Sequence, residues 1–115
     1  MLKSIDTKLI IEPLEDTFSV CKVQDYSRVN LEHPFCFIGS TDEEKSLVCP
    51  LSFVPANVTE RADGWRGFRI EGVLEFSLIG ILSGILNLLA KHEISVFVIS
   101  TFNTDYVFVQ ENVFQ

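Results

Sequence analysis

From Ser77 to His92 the apolar residues return at helical intervals: Leu78, Leu82, Ile85 and Leu89, with Ile81, Leu86 and Leu88 beside them. A helix with so wide an apolar face must lie against another element. It is followed by Ile94 to Ser100, ISVFVIS, a nearly unbroken β-branched run. That run predicts a strand buried on both faces or central in a sheet. Phe102-Asn103-Thr104-Asp105 predicts a tight turn, and Tyr106 to Val109, YVFV, an antiparallel return. Ahead of the helix, Trp65 to Glu71, WRGFRIE, alternates as a strand if Gly67 marks a bulge, and Gly72 breaks it. Ser77 or Glu75 is placed to cap the first helical turn, and Lys91 and His92 suit the negative end of the dipole. The second half therefore reads β-α-β-β, the opening three quarters of a ferredoxin-like βαββαβ unit. The remaining helix and strand would follow Gln110, and the sequence stops at Gln115.

The first half reads as β. Thr17 to Val23 alternates as a short strand. Phe35 to Ser40 and Lys45 to Pro50 predict a hairpin around the turn Thr41-Asp42-Glu43-Glu44, with Pro34 and Pro50 at its margins. Leu9 to Ile11 adds a candidate edge strand. Between Pro55 and Gly64 the chain turns polar, PANVTERADG, and predicts a short helix begun by Pro55 and ended by Gly64. That stretch is the expected boundary between a half at 1–60 and a half at 61–115. Asn57-Val58-Thr59 matches a glycosylation sequon, which carries little weight without a secretory signal.

Composition narrows the function classes. At 115 residues, 47% hydrophobic and 22% charged, the chain has the makings of a packed core and not of a disordered segment. A net charge of -7 argues against a nucleic-acid partner, which would call for a basic face. The longest apolar stretch, Leu74 to Ala90, is interrupted by Glu75, Ser77, Ser83 and Asn87, so no membrane span is expected. The opening MLKSID has no basic-then-apolar leader, which makes the expected location cytoplasmic. Cys21, Cys36 and Cys49 form no CxxC pair and read as small buried hydrophobes in a reducing compartment. His33 and His92 stand far apart, without the spacing of a metal site. No cofactor, metal site or catalytic set is expected, and the chain is not read as an enzyme.

Trp65-Arg66, Glu71-Gly72, Phe76-Ser77, Gly80-Ile81, Ile94-Ser95-Val96-Phe97, and Ile99-Ser100-Thr101-Phe102 followed by Thr104-Asp105-Tyr106 together resemble the tandem ACT-domain family. FSVCKV and Ser46 to Pro50 fit its N-terminal half, so the resemblance covers roughly residues 15–110. The family includes small prokaryotic proteins and the arginine sensor CASTOR of animals. The resemblance implies an α+β fold. A ferredoxin-like ACT domain, lacking its last helix and strand, would follow a small, mostly-β ACT-like half. It also implies a regulatory module that binds a small amino acid or related metabolite between modules or subunits, in a homo-oligomer such as a dimer. Carried over position by position, the ligand residues of the arginine sensor fall on Gly80, Ile81, Ser95, Val96 and Asp105. The sensor draws them from two modules, whereas this chain has one well-matched set. Glu75 stands where relatives carry aspartate, which keeps the charge.

Each of these residues also has a plainer reading. Gly80 opens a helix start to a carboxylate, or, with Gly84 one turn on, simply allows tight packing on a sheet. Asp105 pairs with a cationic group, or closes its own turn. Ser95 and Val96 offer backbone groups, or merely begin a strand. The alternative function is a structural protein–protein interaction module with no small-molecule ligand. It predicts a Gly80 face filled by apolar side chains.

Overall fold

The computed structural model describes residues 9–72 and 78–111. The elements are β1 (Leu9–Val23), β2 (Phe37–Ser40), β3 (Lys45–Pro50), a 3-10 turn (Leu51–Phe53), β4 (Val58–Gly72), α1 (Leu78–Lys91), β5 (Val96–Ser100) and β6 (Asp105–Gln110). The fold is sheet-dominated α+β, with one α-helix among the described residues. The strands hydrogen-bond in the order β2-β3-β1-β4-β6-β5. There are two compact units, one over Asp16–Trp65 and the other from residues 9–15 and from Arg66 onward. The long strands β1 and β4 each pass from one unit into the other.

In the unit at 16–65, β1 pairs antiparallel with β3, Phe18 opposite Pro50 and Lys22 opposite Ser46. The predicted hairpin forms, with Phe37 opposite Val48 and Ser40 opposite Lys45. Thr41 Oγ1 accepts from the amides of Glu43 and Glu44, each at 3.1 Å, and fixes the turn. Cys21, Val23, Leu47 and Cys49 form the buried cluster. Tyr26, Val29, Cys36, Phe53, Val54 and Val58 pack against it. The helix expected within 55–64 does not form, because residues from Val58 onward extend into β4. β-Branched Val58 and Thr59 favour that strand, and Thr59 Oγ1 donates to the Lys22 carbonyl at 3.1 Å. The polar residues Glu60, Arg61 and Asp63 that suggested a surface helix are exposed strand positions.

In the second unit, residues 9–15 of β1 lie beside the end of β4, β6 follows, and β5 is the outer strand. The segment expected as a separate edge at Leu9 to Ile11 is the start of β1 itself. The outer side of β4 is thereby occupied by β1. β5 and β6 pair from Val96 opposite Val109 to Ser100 opposite Asp105. The prediction for β5 is corrected: it is an edge strand, and none of its residues is fully buried. The fully buried run is Val107, Phe108 and Val109 of β6, which lies between β4 and β5. Helix α1 matches its predicted span, while the caps proposed at Glu75 and Ser77 lie outside the described residues. It ends in a Schellman turn: the Ile94 amide donates to the Leu89 carbonyl at 3.0 Å and the Glu93 amide to the Ala90 carbonyl at 2.9 Å. Glu93 takes the left-handed position, φ 57°, usually filled by glycine.

Candidate functional site

Two rows of side chains cross one face of the second unit's sheet. In the first, Phe108 stacks on its β5 partner Phe97, ring centroids 4.9 Å apart and planes 11° apart. On the β4 side the Phe108 ring lies over Gly67. A Cβ on Gly67 would come within 2.7 Å of Phe108 Cε2 and 3.4 Å of Leu14 Cδ1. Gly67 therefore serves close approach, the aromatic ring covering the bare glycine. Its φ is not in the left-handed region; in β4 that conformation belongs to Gly64, at φ 90°.

Two residues along each strand, and so on the same face, lies a polar row. Arg69 Nε donates to Glu12 Oε1 at 3.0 Å, and Arg69 Nη1 donates to the Tyr106 hydroxyl at 3.2 Å. The bonds to Tyr106 and then to Glu12 raise the pKa of the guanidinium further above its usual range, so Arg69 stays charged. The row is only partly shielded, with side chains 29% and 46% exposed for Arg69 and Glu12. Glu12 and Arg69 lie 57 positions apart, and no sequence motif links them.

The β5–β6 turn forms a hydroxyl-rich end. Ser100 Oγ donates to Asp105 Oδ1 at 2.6 Å, Thr101 Oγ1 donates to the Thr104 carbonyl at 2.9 Å, and Thr104 Oγ1 donates to the Ile70 carbonyl. Asp105 alternates with Tyr106 and so lies on the face opposite the Arg69 row. Phe102, at the tip of the turn, is fully exposed.

The predicted site residues separate into distinct places. Gly80 and Ile81 sit in the first turn of α1. Gly80 is exposed, and a Cβ there or at Gly84 would meet nothing within 4 Å. Tight packing on the sheet is therefore not what requires these glycines. Val96 pairs with Val109, whereas Asp105 pairs with Ser100 at the other end of the hairpin. Four strand residues separate them, roughly 13 Å at about 3.3 Å per residue. Within one chain Ser95 and Val96 do not meet Asp105; the structure joins Asp105 to Ser100, a residue of the same sequence motif that was not among the predicted ligand contacts. Among the described residues no group of three or more His, Cys, Asp or Glu side chains is arranged to hold a metal. No described helix is long and apolar enough to cross a membrane.

Residues 60–115 match the model of the ACT domain. The fold resembles the X-ray crystal structure of a protein from Agobacterium tumefaciens, with TM-score 0.78, 26% identity, and 91% of this chain and 80% of that chain covered. It also resembles a Vibrio cholerae protein of unknown function described as a possible transport protein, with TM-score 0.72, 21% identity, and 96% and 85% covered. No curated protein matches the sequence.

Proposed function

We propose that the chain is a non-catalytic regulatory module of ACT type that binds a small amino acid or related metabolite between modules or subunits of a homo-oligomer. The observation that carries this reading is the open first turn of α1. Gly80 there faces free space, inside the region that matches the ACT domain. The positive end of the helix dipole lies at this first turn and attracts a carboxylate. In this reading Gly80 and Ile81 receive the ligand carboxylate, and Asp105, held by Ser100, receives its cationic end. Ser95 and Val96 of a second copy supply the remaining polar contacts, because the hairpin keeps them about 13 Å from Asp105 within one chain. The uncharged edge strand VFVIS offers a second copy a surface without like-charge repulsion.

We read residues 61–115 as the ACT domain and 1–60 as an ACT-like, β-rich half. The order β4-β6-β5, interrupted by α1 after β4, supports a ferredoxin-like arrangement. The stretch of β1 beside β4 stands where the fourth strand of such a unit would lie.

The test is thermal unfolding of the full chain with each standard amino acid, repeated on Asp105→Asn. Mass action predicts about 2.7 kcal/mol of stabilisation at 100-fold excess over Kd. A concentration-dependent rise that Asp105→Asn abolishes, in a variant with an unchanged circular dichroism spectrum, supports the ligand site. A folded protein stabilised by none of the amino acids refutes it. The second reading, a structural interaction module without a small ligand, is favoured by the fully exposed Phe102 and by Leu88, 57% exposed on α1. It predicts concentration-dependent association that Phe102→Ser weakens and amino acids leave unchanged.

A further inference from the structure

The two thiols at the centre of the unit at 16–65 are independent of that reading. Ser19 pairs with Cys49 and Cys21 with Leu47 in the β1–β3 register, so Cys21 and Cys49 occupy diagonal positions on one face. They lie together in the buried cluster, 3% and 0% exposed, and each thiol acts on the other's protonation. The Cys21 thiol also lies 3.4 Å from Ser19 Oγ. The neighbouring Cys49 thiol draws the Cys21 thiol well below its ordinary range, to about 6, and Cys21 in turn pushes Cys49 up, so the proton rests on Cys49. Ser19 and the Arg61 guanidinium, held by Asp63 at 3.0 Å and 3.2 Å, also favour the thiolate, while burial and the Asp63 carboxylate oppose it. Cys36 differs: it is partly buried at the margin of the cluster, and burial alone raises its thiol.

We infer that Cys21 and Cys49 form a dithiol modification site that hydroperoxides oxidise to a Cys21–Cys49 disulfide. The Cys21 thiolate attacks one peroxide oxygen, an S–O bond forms, the O–O bond breaks, and the leaving hydroxide takes up a proton to become water. Cys49 then attacks the sulfenic sulfur: the S–S bond forms, the S–O bond breaks, and the departing oxygen leaves as water with the Cys49 proton. In sum, two thiols and one hydrogen peroxide give one disulfide and two waters, and the pair supplies both electrons. Cys21 is 3% exposed, which excludes a bulky disulfide such as glutathione and leaves a small hydroperoxide as the class of oxidant. Diagonal partners have Cα atoms about 7–8 Å apart, beyond the usual span of a disulfide, so the bond draws the two strands together, is strained and is readily reduced.

The experiment treats the full chain with hydrogen peroxide, alkylates remaining thiols under denaturing conditions, and maps peptides without reduction. The expected product has lost two hydrogens, carries a Cys21–Cys49 linkage, keeps Cys36 alkylatable, and returns to the dithiol with dithiothreitol. Cys36→Ser should oxidise at an unchanged rate. Cys49→Ala, which loses both the second thiol and the neighbour that lowers Cys21, should oxidise more slowly and stop at a Cys21 sulfenic acid that dimedone captures once the chain is unfolded. The oxidation rate should level off above a pH of about 7, because the thiolate fraction saturates there. Unmodified Cys21 and Cys49 after peroxide, or a linkage through Cys36 or between chains, would overturn the assignment. The wild-type map decides the matter even if Cys49→Ala fails to fold.

Discussion

Replacing Gly67 by alanine places a methyl group in the tightest described contact of the second unit. Its carbon would lie 2.7 Å and 2.9 Å from two Phe108 ring atoms, where ordinary contact is about 3.4 to 4 Å. Phe108 must therefore move by roughly 0.7 Å or more. It has little freedom to do so, being 0% exposed and stacked on Phe97 at 4.9 Å. Overpacking of this kind costs about 1–3 kcal/mol. Alanine restores about 0.5–1 kcal/mol by restricting the unfolded chain. The net expectation is a loss of about 1–2 kcal/mol, or roughly 4–8 °C in Tm for a chain of this size. Urea titration should show a lower midpoint with an unchanged m value. Adding Phe108→Leu removes the ring atoms in question, so the double variant should lose about 1 kcal/mol less than the sum of the two single losses. A Gly67→Ala protein as stable as wild type, or strictly additive variants, would refute the close-approach argument.

Gly84→Ala, where a Cβ meets open space on an exposed helix position, should raise stability by about 0.5–1 kcal/mol, read from the urea midpoint. Glu93→Gly relieves a left-handed, non-glycine φ of 57° and should also stabilise, by about 0.5–1 kcal/mol, provided the α1 helicity seen by circular dichroism is unchanged. Arg69→Met should cost about 1 kcal/mol, since its bonds to Glu12 and Tyr106 are partly open to water; the loss should shrink in a Glu12→Gln background, and equal losses in both would count against the pairing. Asp25, through its bonds from Ser27, and Asp63, through its bond from Arg61, are held below the usual carboxylate range. As pH falls below about 4 the unfolded chain binds more protons than the folded one, so stability present above that pH is lost. The urea midpoint should therefore drop between pH 5 and pH 3, and drop less in Asp63→Asn.

Locally coded features were legible in the sequence. Apolar spacing located α1, β-branched runs located β5 and β6, and Thr41 to Glu44 announced the hairpin turn, because each depends on neighbours within a few positions. Position in the sheet was not legible. ISVFVIS is as apolar as a central strand, yet β5 lies at an edge, because strand order depends on pairings between distant segments. The polar PANVTERADG stretch suggested a surface helix, and its residues from Val58 onward became strand, because pairing with β1 outweighs weak local propensity.

The candidate sites divide in the same way. By itself the sequence determined that Gly80 and Ile81 open a helix, that Asp105 follows a turn, and that three cysteines lack a metal spacing. Only tertiary structure decided that Gly80 faces open space, that Asp105 is tied to Ser100 and lies away from Val96, and that Arg69 bridges Glu12 and Tyr106. Only the register of β1 on β3 brought Cys21 beside Cys49. The reason is physical: a residue's type and spacing fix which chemistry it can perform, whereas its partners are fixed by strand pairings that join segments tens of residues apart.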